Sequence, residues 1–133
     1  MRTQVAIIGG GPAGLLLSQL LHKSGIDSVV LERKSEEYVL ARIRAGVLEW
    51  DTVELLRKAG VGHRMDAEGM VHDGTLLSSK NTSFRIDFKQ NVGKSVMVYG
   101  QTEVTRDLYN ARREMNGVVL NNVENVELND LER

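Results

Sequence analysis

Cysteine is absent from this chain, and aromatic residues make up only 5% of it. Without a thiol, disulfide bonds, thiolate catalysis and sulfur-ligated metal centres are excluded, and we expect no metal site. The net charge is −1 and no basic run exceeds two residues, so the electrostatic footprint of a nucleic-acid-binding protein is missing. No apolar stretch is long enough to span a membrane, and the first residues do not resemble a signal peptide. These absences favour a cytoplasmic protein without nucleic-acid or membrane partners.

What the sequence does contain is a run of three glycines directly after a short apolar segment. Val5–Ile8 is rich in β-branched residues and predicts a buried parallel strand. The glycines that follow have G-x-G-x-x-G spacing, and leucines at helical spacing predict a helix from about residue 12 to residue 24. Such a turn places a pyrophosphate against backbone N–H groups at the helix N-terminus. The predicted phosphate-binding residues are Gly9, Gly11, Pro12, Ala13 and Gly14.

An acidic residue completes the dinucleotide-binding pattern. Ser28–Leu31 predicts a second buried strand, and Glu32 follows it, 18 positions after Gly14 and close to the usual spacing of about 20. An acid at this point hydrogen-bonds a ribose hydroxyl. The alternative is an ordinary βαβ unit in which the acid stands at the strand end by chance. Because both halves of the pattern are in register, we expect a bound dinucleotide with an ADP half.

The rest of the chain predicts one α/β domain. Its 133 residues are 41% hydrophobic and 26% charged, which is ordinary globular composition. We expect a Rossmann-like FAD/NAD(P)-binding fold, with a parallel sheet and a small antiparallel excursion, over residues 1–133. The predicted elements are a charged linker at 33–49, a helix at 46–59, antiparallel strands at 71–77, 82–88 and 95–99, a helix at 101–115 with Thr102 as N-cap, a third parallel strand at 117–120 and a further strand starting at 123–128.

The linker contains three arginines, Arg33, Arg42 and Arg44, close in sequence to the predicted phosphate site. A charged linker is often only a solvated connection. A guanidinium, however, is well shaped for bidentate contact with phosphate. We therefore expect at least one of the three to bind a phosphate group.

Three segments resemble one family of flavoproteins. They are the glycine-rich opening at 3–17, Arg-Ile-Arg-Ala-Gly-Val-Leu-Glu at 42–49, and Val-Tyr-Gly-Gln-Thr-Glu-Val-Thr-Arg-Asp-Leu at 98–108. The similarity is to the class A flavoprotein monooxygenases, and within them to the hydroxylases of 4-hydroxybenzoate. It extends with almost no gaps from residue 1 to about residue 130. The glycine motif alone would fit a flavin or a nicotinamide cofactor, whereas the other two segments are specific to these hydroxylases.

The resemblance implies roles for individual residues. It places the glycine loop and Glu32 against the pyrophosphate and ribose of FAD. It places Arg42 and Arg44 beside the FAD diphosphate and the route of the nicotinamide cofactor, and Gln101 against the flavin cofactor. Arg33 and Tyr38 match the segment associated with selection of NADPH, a segment that varies in this chain. His72, which could otherwise be a surface strand histidine, matches a position on a proton path to the substrate phenol.

The resemblance also implies an activity, the NADPH- and O₂-dependent conversion of 4-hydroxybenzoate to 3,4-dihydroxybenzoate on FAD. The family's later segments, which supply the aromatic substrate pocket, have no counterpart here, so we expect an N-terminal portion that is inactive alone and lacks the substrate domain. The alternatives are an isolated ADP- or FAD-binding module without catalysis and, with less support, a plain NAD-binding fragment. Sheet edges without neighbours would favour self-association into a homo-oligomer.

Overall fold

The computed structural model describes residues 2–42 and 44–129. The chain divides into two compact units, the first formed by residues 1–42 and 108–133 and the second by residues 43–107. The α/β Rossmann-like class predicted from the sequence is confirmed, with a parallel sheet in the first unit and antiparallel sheets in the second.

The first unit is built on a three-stranded parallel sheet. In their order across the sheet, the strands are β1 (Val5–Ile8), β2 (Ser28–Leu31) and β8 (Val118–Leu120). All three match the sequence prediction. Because β1 and β2 are parallel neighbours, the chain must cross back between them, and α1 (Pro12–Lys23) makes that crossing. The carboxyl ends of β1 and β2 therefore meet at one sheet edge, where the glycine turn and Glu32 follow.

Helix α1 packs closely on β1 because Gly14 has no side chain. A Cβ at Gly14 would overlap the backbone oxygen of Gly9 and lie 3.2 Å from Cγ2 of Ile7. The helix ends as the sequence predicts, with Gly25 at φ +72° just beyond it. The core of this unit is made by side chains of the sheet, α1 and the second half of helix α6 (Gln101–Glu114): Ile7, Leu15, Val29, Val30, Leu108, Tyr109 and Ala111.

The second unit contains two antiparallel sheets. One has the order β3-β7-β4, from β3 (Val47–Glu49), β7 (Val96–Val98) and β4 (Met70–His72). The other is a hairpin of β5 (Gly74–Ser79) and β6 (Thr82–Asp87). Helices α3 (Trp50–Lys58) and α4 (His63–Glu68), with the start of α6, supply buried residues to this unit: Val53, Leu56, Met65 and Val104.

Two predictions between the parallel strands were wrong. The charged linker contains a helix, α2 (Glu36–Ala41), whose N-cap Ser35 accepts a 3.2 Å hydrogen bond from the N–H of Tyr38 through Oγ. The helix predicted at 46–59 begins only at Trp50, because residues 47–49 pair with β7 instead. At Gly46 the chain passes so close to Gly100 that a Cβ would lie 2.9 Å from its Cα.

Further along the chain, the antiparallel strands are confirmed but belong to two sheets rather than one excursion. The strand predicted to reach residue 88 stops at Asp87, which caps α5 (Phe88–Val92) by accepting the N–H of Gln90 at 2.8 Å. Residues 123–128 were predicted to start a strand and have no regular structure. Thr102 is not the N-cap of α6, since the helix already begins at Gln101. Ile43, in the segment at 42–49, lies outside the described residues.

Candidate functional site

The turn after β1 is held open by its glycines. Gly9 adopts φ +116°, a conformation that side chains disfavour, and its N–H donates to the carbonyl of Leu31 at 2.8 Å. Gly11 is the N-cap of α1, and the first helical hydrogen bond runs from the N–H of Leu15 to its carbonyl. Apart from its two neighbours in the chain, no described residue has an atom within 4 Å of where a Cβ of Gly11 would stand. The helix N-terminus, with Pro12, Ala13 and Gly14 in its first turn, thus faces unfilled space.

Glu32 is fixed by two backbone donors. Its Oε2 accepts the N–H of Gly10 at 2.7 Å, and its Oε1 accepts the N–H of Lys34 at 2.8 Å. The main chain of Glu32 is anchored as well, because its N–H donates to the carbonyl of Leu120 at 2.8 Å. The carboxylate is therefore held beside the glycine turn before any ligand arrives, and each oxygen keeps a further lone pair for a hydroxyl donor.

Tyr109 is a residue of this region that the sequence did not single out. It is 2% exposed, and its hydroxyl accepts the Nδ2 of Asn121 at 3.1 Å. A Cβ on Gly10 would lie 3.1 Å from that hydroxyl and 2.8 Å from Cβ of Glu32. Burial raises the pKa of Tyr109. The middle glycine is therefore required by packing against protein atoms, and no spacing in the sequence signals this.

A cavity of about 500 Å³ opens beside Glu32. One wall comes from the ends of β1 and β2, and the other from the irregular segment at 123–126. This segment is bent by Asn122 at φ +59° and Asn125 at φ +55°, conformations that asparagine tolerates better than most residues. The asparagine-rich stretch at 121–125 was therefore a turn signal that the strand prediction overlooked.

The remaining predicted residues of the first unit lie on α2 and on either side of it. Arg33 and Arg42 are exposed, and within the described chain no carboxylate lies within ion-pair distance of either. Tyr38 is 49% exposed, and the Nζ of Lys34 stands 5.5 Å from the centre of its ring. Arg33 and Lys34 also line the cavity beside Glu32, which brings positive charge to its rim.

Three predicted residues belong to the second unit. Arg44 is exposed in the segment before β3, and His72 is exposed as the last residue of β4, opposite Val96. Gln101 is the first residue of α6, and its carbonyl accepts the hydroxyl of Thr105 at 2.8 Å. The structure therefore brings together the glycine turn, Glu32 and Arg33 in one unit, and places Arg44, His72 and Gln101 in the other.

The helix that begins at Gln101 is anchored by an ionic network. Arg64 donates to Asp107 at 2.6 Å and to Glu103 at 2.9 Å, and the hydroxyl of Tyr99 donates to Asp107 at 2.7 Å. The bond from Arg64 lowers the pKa of Glu103. Arg106 also pairs with Glu103, at 3.5 Å.

The described residues contain neither a membrane-spanning helix nor a cluster of metal ligands. None of the helices in ranges 2–42 and 44–129 is long and apolar enough to cross a membrane. In the same ranges, no group of three or more His, Asp and Glu side chains is arranged to hold a metal ion.

A parallel sheet with a glycine turn, an acid at the end of its second strand and an adjoining cavity defines a dinucleotide-binding domain. Comparison with known families narrows the class, because the family described as FAD binding domain matches residues 2–132. The chain belongs to this family.

Particular relatives agree with that assignment. The chain is 51% identical over 115 residues to p-hydroxybenzoate hydroxylase of Acinetobacter baylyi. This alignment covers 86% of the chain and 28% of the relative. It is similar in fold to a probable FAD-dependent monooxygenase of Pseudomonas aeruginosa (TM-score 0.78, 18% identity) and to p-nitrophenol 4-monooxygenase of Pseudomonas putida (TM-score 0.77, 24% identity). These alignments cover 90% and 94% of the chain and 33% of each structure, so the chain spans about a third or less of these relatives. The family resemblance inferred from the sequence is confirmed.

Proposed function

We propose that this chain is the FAD-binding portion of a flavin-dependent aromatic hydroxylase that converts 4-hydroxybenzoate to 3,4-dihydroxybenzoate with NADPH and O₂. The observation that carries the proposal is the open glycine turn beside an anchored Glu32, in a chain 51% identical to p-hydroxybenzoate hydroxylase. The activity is that of the whole protein, and the residues of this chain bind and orient the cofactor.

The first unit offers room and chemistry for the ADP half of FAD. The unfilled space at Gly11 accommodates a pyrophosphate, which the N–H groups at Ala13 and Gly14 and the helix dipole would stabilise. The carboxylate of Glu32 would accept a ribose hydroxyl, and the cavity of about 500 Å³ would hold the adenosine. Bound FAD supplies the redox chemistry of hydroxylation, and the protein supplies its position and electrostatics.

Four further residues receive roles in cofactor handling. Arg33 and Arg42 are exposed cations without a carboxylate partner in the described chain, which suits them to phosphates of NADPH. Tyr38 presents an exposed ring beside Lys34, a surface suited to stacking on a nucleotide. Arg44, which is exposed in the segment before β3, would contact the diphosphate of FAD or NADPH, the role that the family resemblance gives it.

Gln101 and His72 would act at the flavin and the substrate. Gln101 is the first residue of α6, a helix that Arg64 anchors through Glu103 and Asp107, and its amide would meet the flavin. His72 is exposed at the end of β4, so its imidazole is open to water, as a proton path to the substrate phenol requires. The aromatic substrate would be bound only together with protein outside this chain.

Titration calorimetry with FAD and with ADP tests the proposed site. We expect both to bind at one site, with FAD binding more tightly than ADP because the flavin half of FAD adds contacts that ADP cannot make. Equal affinities would restrict the site to the ADP half and would favour the alternative, a nucleotide-binding module without catalysis. Absence of binding by either ligand would contradict the proposal.

The role of Glu32 is tested by Glu32→Gln, which keeps the size of the side chain and removes its charge. Loss of a charged hydrogen bond to ribose should weaken FAD binding about tenfold. The control is Glu37→Gln, an exposed acid on α2 away from the cavity. Equal affinity in the two variants would refute the ribose contact.

Turnover separates the hydroxylase from the binding module. We expect 4-hydroxybenzoate to stimulate NADPH oxidation by the whole protein, and the 133-residue chain with FAD to show no stimulation. A whole protein that ignores 4-hydroxybenzoate but binds FAD would refute the substrate while keeping the cofactor site. Turnover by the 133-residue chain alone would contradict the division of roles proposed here.

A further inference from the structure

Arg112 is a buried cation in the first unit, on the last turn of α6. Its side chain is 2% exposed, and the guanidinium packs so closely over Gly117 that a Cβ there would overlap it. The side chain of Arg112 donates one hydrogen bond to a described residue, from Nη1 to the carbonyl of Ser18, and this bond is long at 3.4 Å. Its Nε has no described partner. Three other arginines have carboxylates at 2.6–2.8 Å: Arg57, Arg64 and Arg113.

Such a guanidinium is unfavourable without an anion. Charged side chains are almost never fully buried unless they are paired, because their removal from water is costly. Burial lowers the pKa of Arg112, which reflects the same penalty. Within residues 2–42 and 44–129 no carboxylate lies within 4 Å to offset it. The N–H donors of the Arg112 guanidinium therefore need an anionic acceptor that the described residues do not supply.

A cavity of about 230 Å³ adjoins Arg112. It lies at the amino ends of the parallel strands, where Thr3 precedes β1 and Ser28 and Val118 open β2 and β8. The glycine turn follows the opposite ends, about 13 Å away for a strand of four residues. The cavity is therefore separate from the proposed FAD site.

The charges around this cavity favour an anion. Two arginines line it, Arg2 and Arg112, against one acid, Asp27, and His22 lies on the same lining. The volume is less than half of that beside Glu32, so it suits a small ion rather than a nucleotide. A guanidinium binds planar or tetrahedral oxyanions through two parallel N–H bonds.

We propose that this cavity is a binding site for a small oxyanion of the phosphate or carboxylate type, held by Arg112. The anion neutralises the buried guanidinium and links α6 to the amino ends of the sheet. Because it binds the folded chain and not the unfolded one, it raises the melting temperature in a saturable manner. The site is independent of FAD.

A substitution at Asn116 can supply a carboxylate to the site from the protein itself. It lines the cavity, is exposed, and has left-handed backbone at φ +53°, which aspartate also tolerates. Asn116→Asp places a carboxylate on the cavity wall without changing its size. Asn122→Asp is the matched control, because Asn122 is exposed, has φ +59° and lies outside the lining of this cavity.

The experiment measures the melting temperature of the 133-residue protein against inorganic phosphate, with ionic strength kept constant by chloride. We expect a saturable rise in the unsubstituted protein and in Asn122→Asp. Asn116→Asp should melt higher than the unsubstituted protein in chloride alone and should lose most of the phosphate-dependent rise. Arg112→Gln, if it folds, should show no phosphate-dependent rise in melting temperature. Unlike Asn116→Asp, it should not melt higher than the unsubstituted protein in chloride alone.

The source of the acceptor is distinguished by a second series with acetate. A rise with phosphate and acetate alike supports a general oxyanion site, and a rise with phosphate alone restricts it to phosphate. A rise of the same size in Asn116→Asp as in the unsubstituted protein would locate phosphate elsewhere, such as at the glycine turn, and would overturn the proposal. Absence of any rise in the unsubstituted protein would overturn it as well.

Discussion

The hydroxyl of Tyr99 donates a 2.7 Å hydrogen bond to the carboxylate of Asp107, which also receives Arg64 at 2.6 Å. The phenol is 5% exposed and the carboxylate side chain 9%, so neither group can replace its partner with bulk water. This pair holds the first half of α6 within the second unit.

Asp107→Ala should therefore lower the free energy of unfolding by about 2–3 kcal/mol, because it leaves the buried phenol of Tyr99 without its acceptor and removes one of the carboxylates that Arg64 contacts. The measurement is the urea midpoint followed by circular dichroism. The control is Asp51→Ala, which removes an exposed carboxylate paired with Lys94 and should cost less than about 1 kcal/mol. Similar midpoints for the two variants would show that the network contributes little to stability.

The stability of the protein should fall at alkaline pH. Burial, and then the hydrogen bond to Asp107, raise the pKa of Tyr99 above its ordinary value. The unfolded chain therefore releases this phenol proton first, so the contribution of Tyr99 is complete below about pH 10 and is lost as the pH rises above that. Tyr99→Phe should be less stable at neutral pH and lose stability less steeply above pH 10. Tyr38→Phe, at an exposed ring, is the control, and an unchanged slope in Tyr99→Phe would contradict the assignment.

Gly11→Ala should weaken FAD binding, whereas Gly14→Ala should destabilise the fold. At Gly11 the backbone conformation (φ −76°, ψ 177°) is open to alanine and the Cβ meets no described atom, so the fold should be kept while FAD affinity falls at least about tenfold. At Gly14 the added Cβ overlaps the carbonyl of Gly9, so the protein should be strongly destabilised. Melting temperature and FAD titration together separate the two. A Gly11→Ala variant that binds FAD normally would show that the ligand does not occupy this space.

Ser35→Ala should loosen α2 by about 1 kcal/mol, the usual cost of losing an N-cap oxygen. The N–H of Val39 bonds the carbonyl of Ser35 at 3.1 Å, so its hydrogen-exchange protection should fall about fivefold. Ser83→Ala, an exposed serine on β6, should leave the amide of Val39 unchanged. Equal protection of Val39 in the two variants would show that the cap does not limit the opening of this helix.

The unit that contains the glycine turn could be predicted because its signals are local. Val5–Ile8, the glycines and Glu32 lie within one strand-helix-strand segment, and each signal acts on its nearest neighbours. By contrast, β3 forms because it pairs with β7, which lies nearly fifty positions further along the chain. The helical periodicity of residues 46–59 gives no information about that pairing. Tertiary pairing overrode local propensity there.

The site was predicted only as far as its backbone motif. The glycines and Glu32 were found, but the second wall of the cavity at 123–126 was assigned to a strand. Tyr109 lay unnoticed on the apolar face of α6, where an aromatic residue usually means core packing, and its contact with Gly10 follows only from the folded geometry. Arg112 stands beside Arg113 in sequence, and nothing in that pair distinguishes the buried cation from the exposed one.

Strand β2 pairs with β8, and Val29 meets Val118, which follows it by 89 positions. On a ribosome adding roughly 5–20 residues per second, β2 would wait on the order of 4–18 s for that neighbour to be made. The second unit is one continuous stretch and is synthesised in full during that interval. Nascent chains therefore pass through a stage in which an apolar strand edge awaits its partner, and slower translation between the two strands would lengthen the exposure to chaperones and to aggregation.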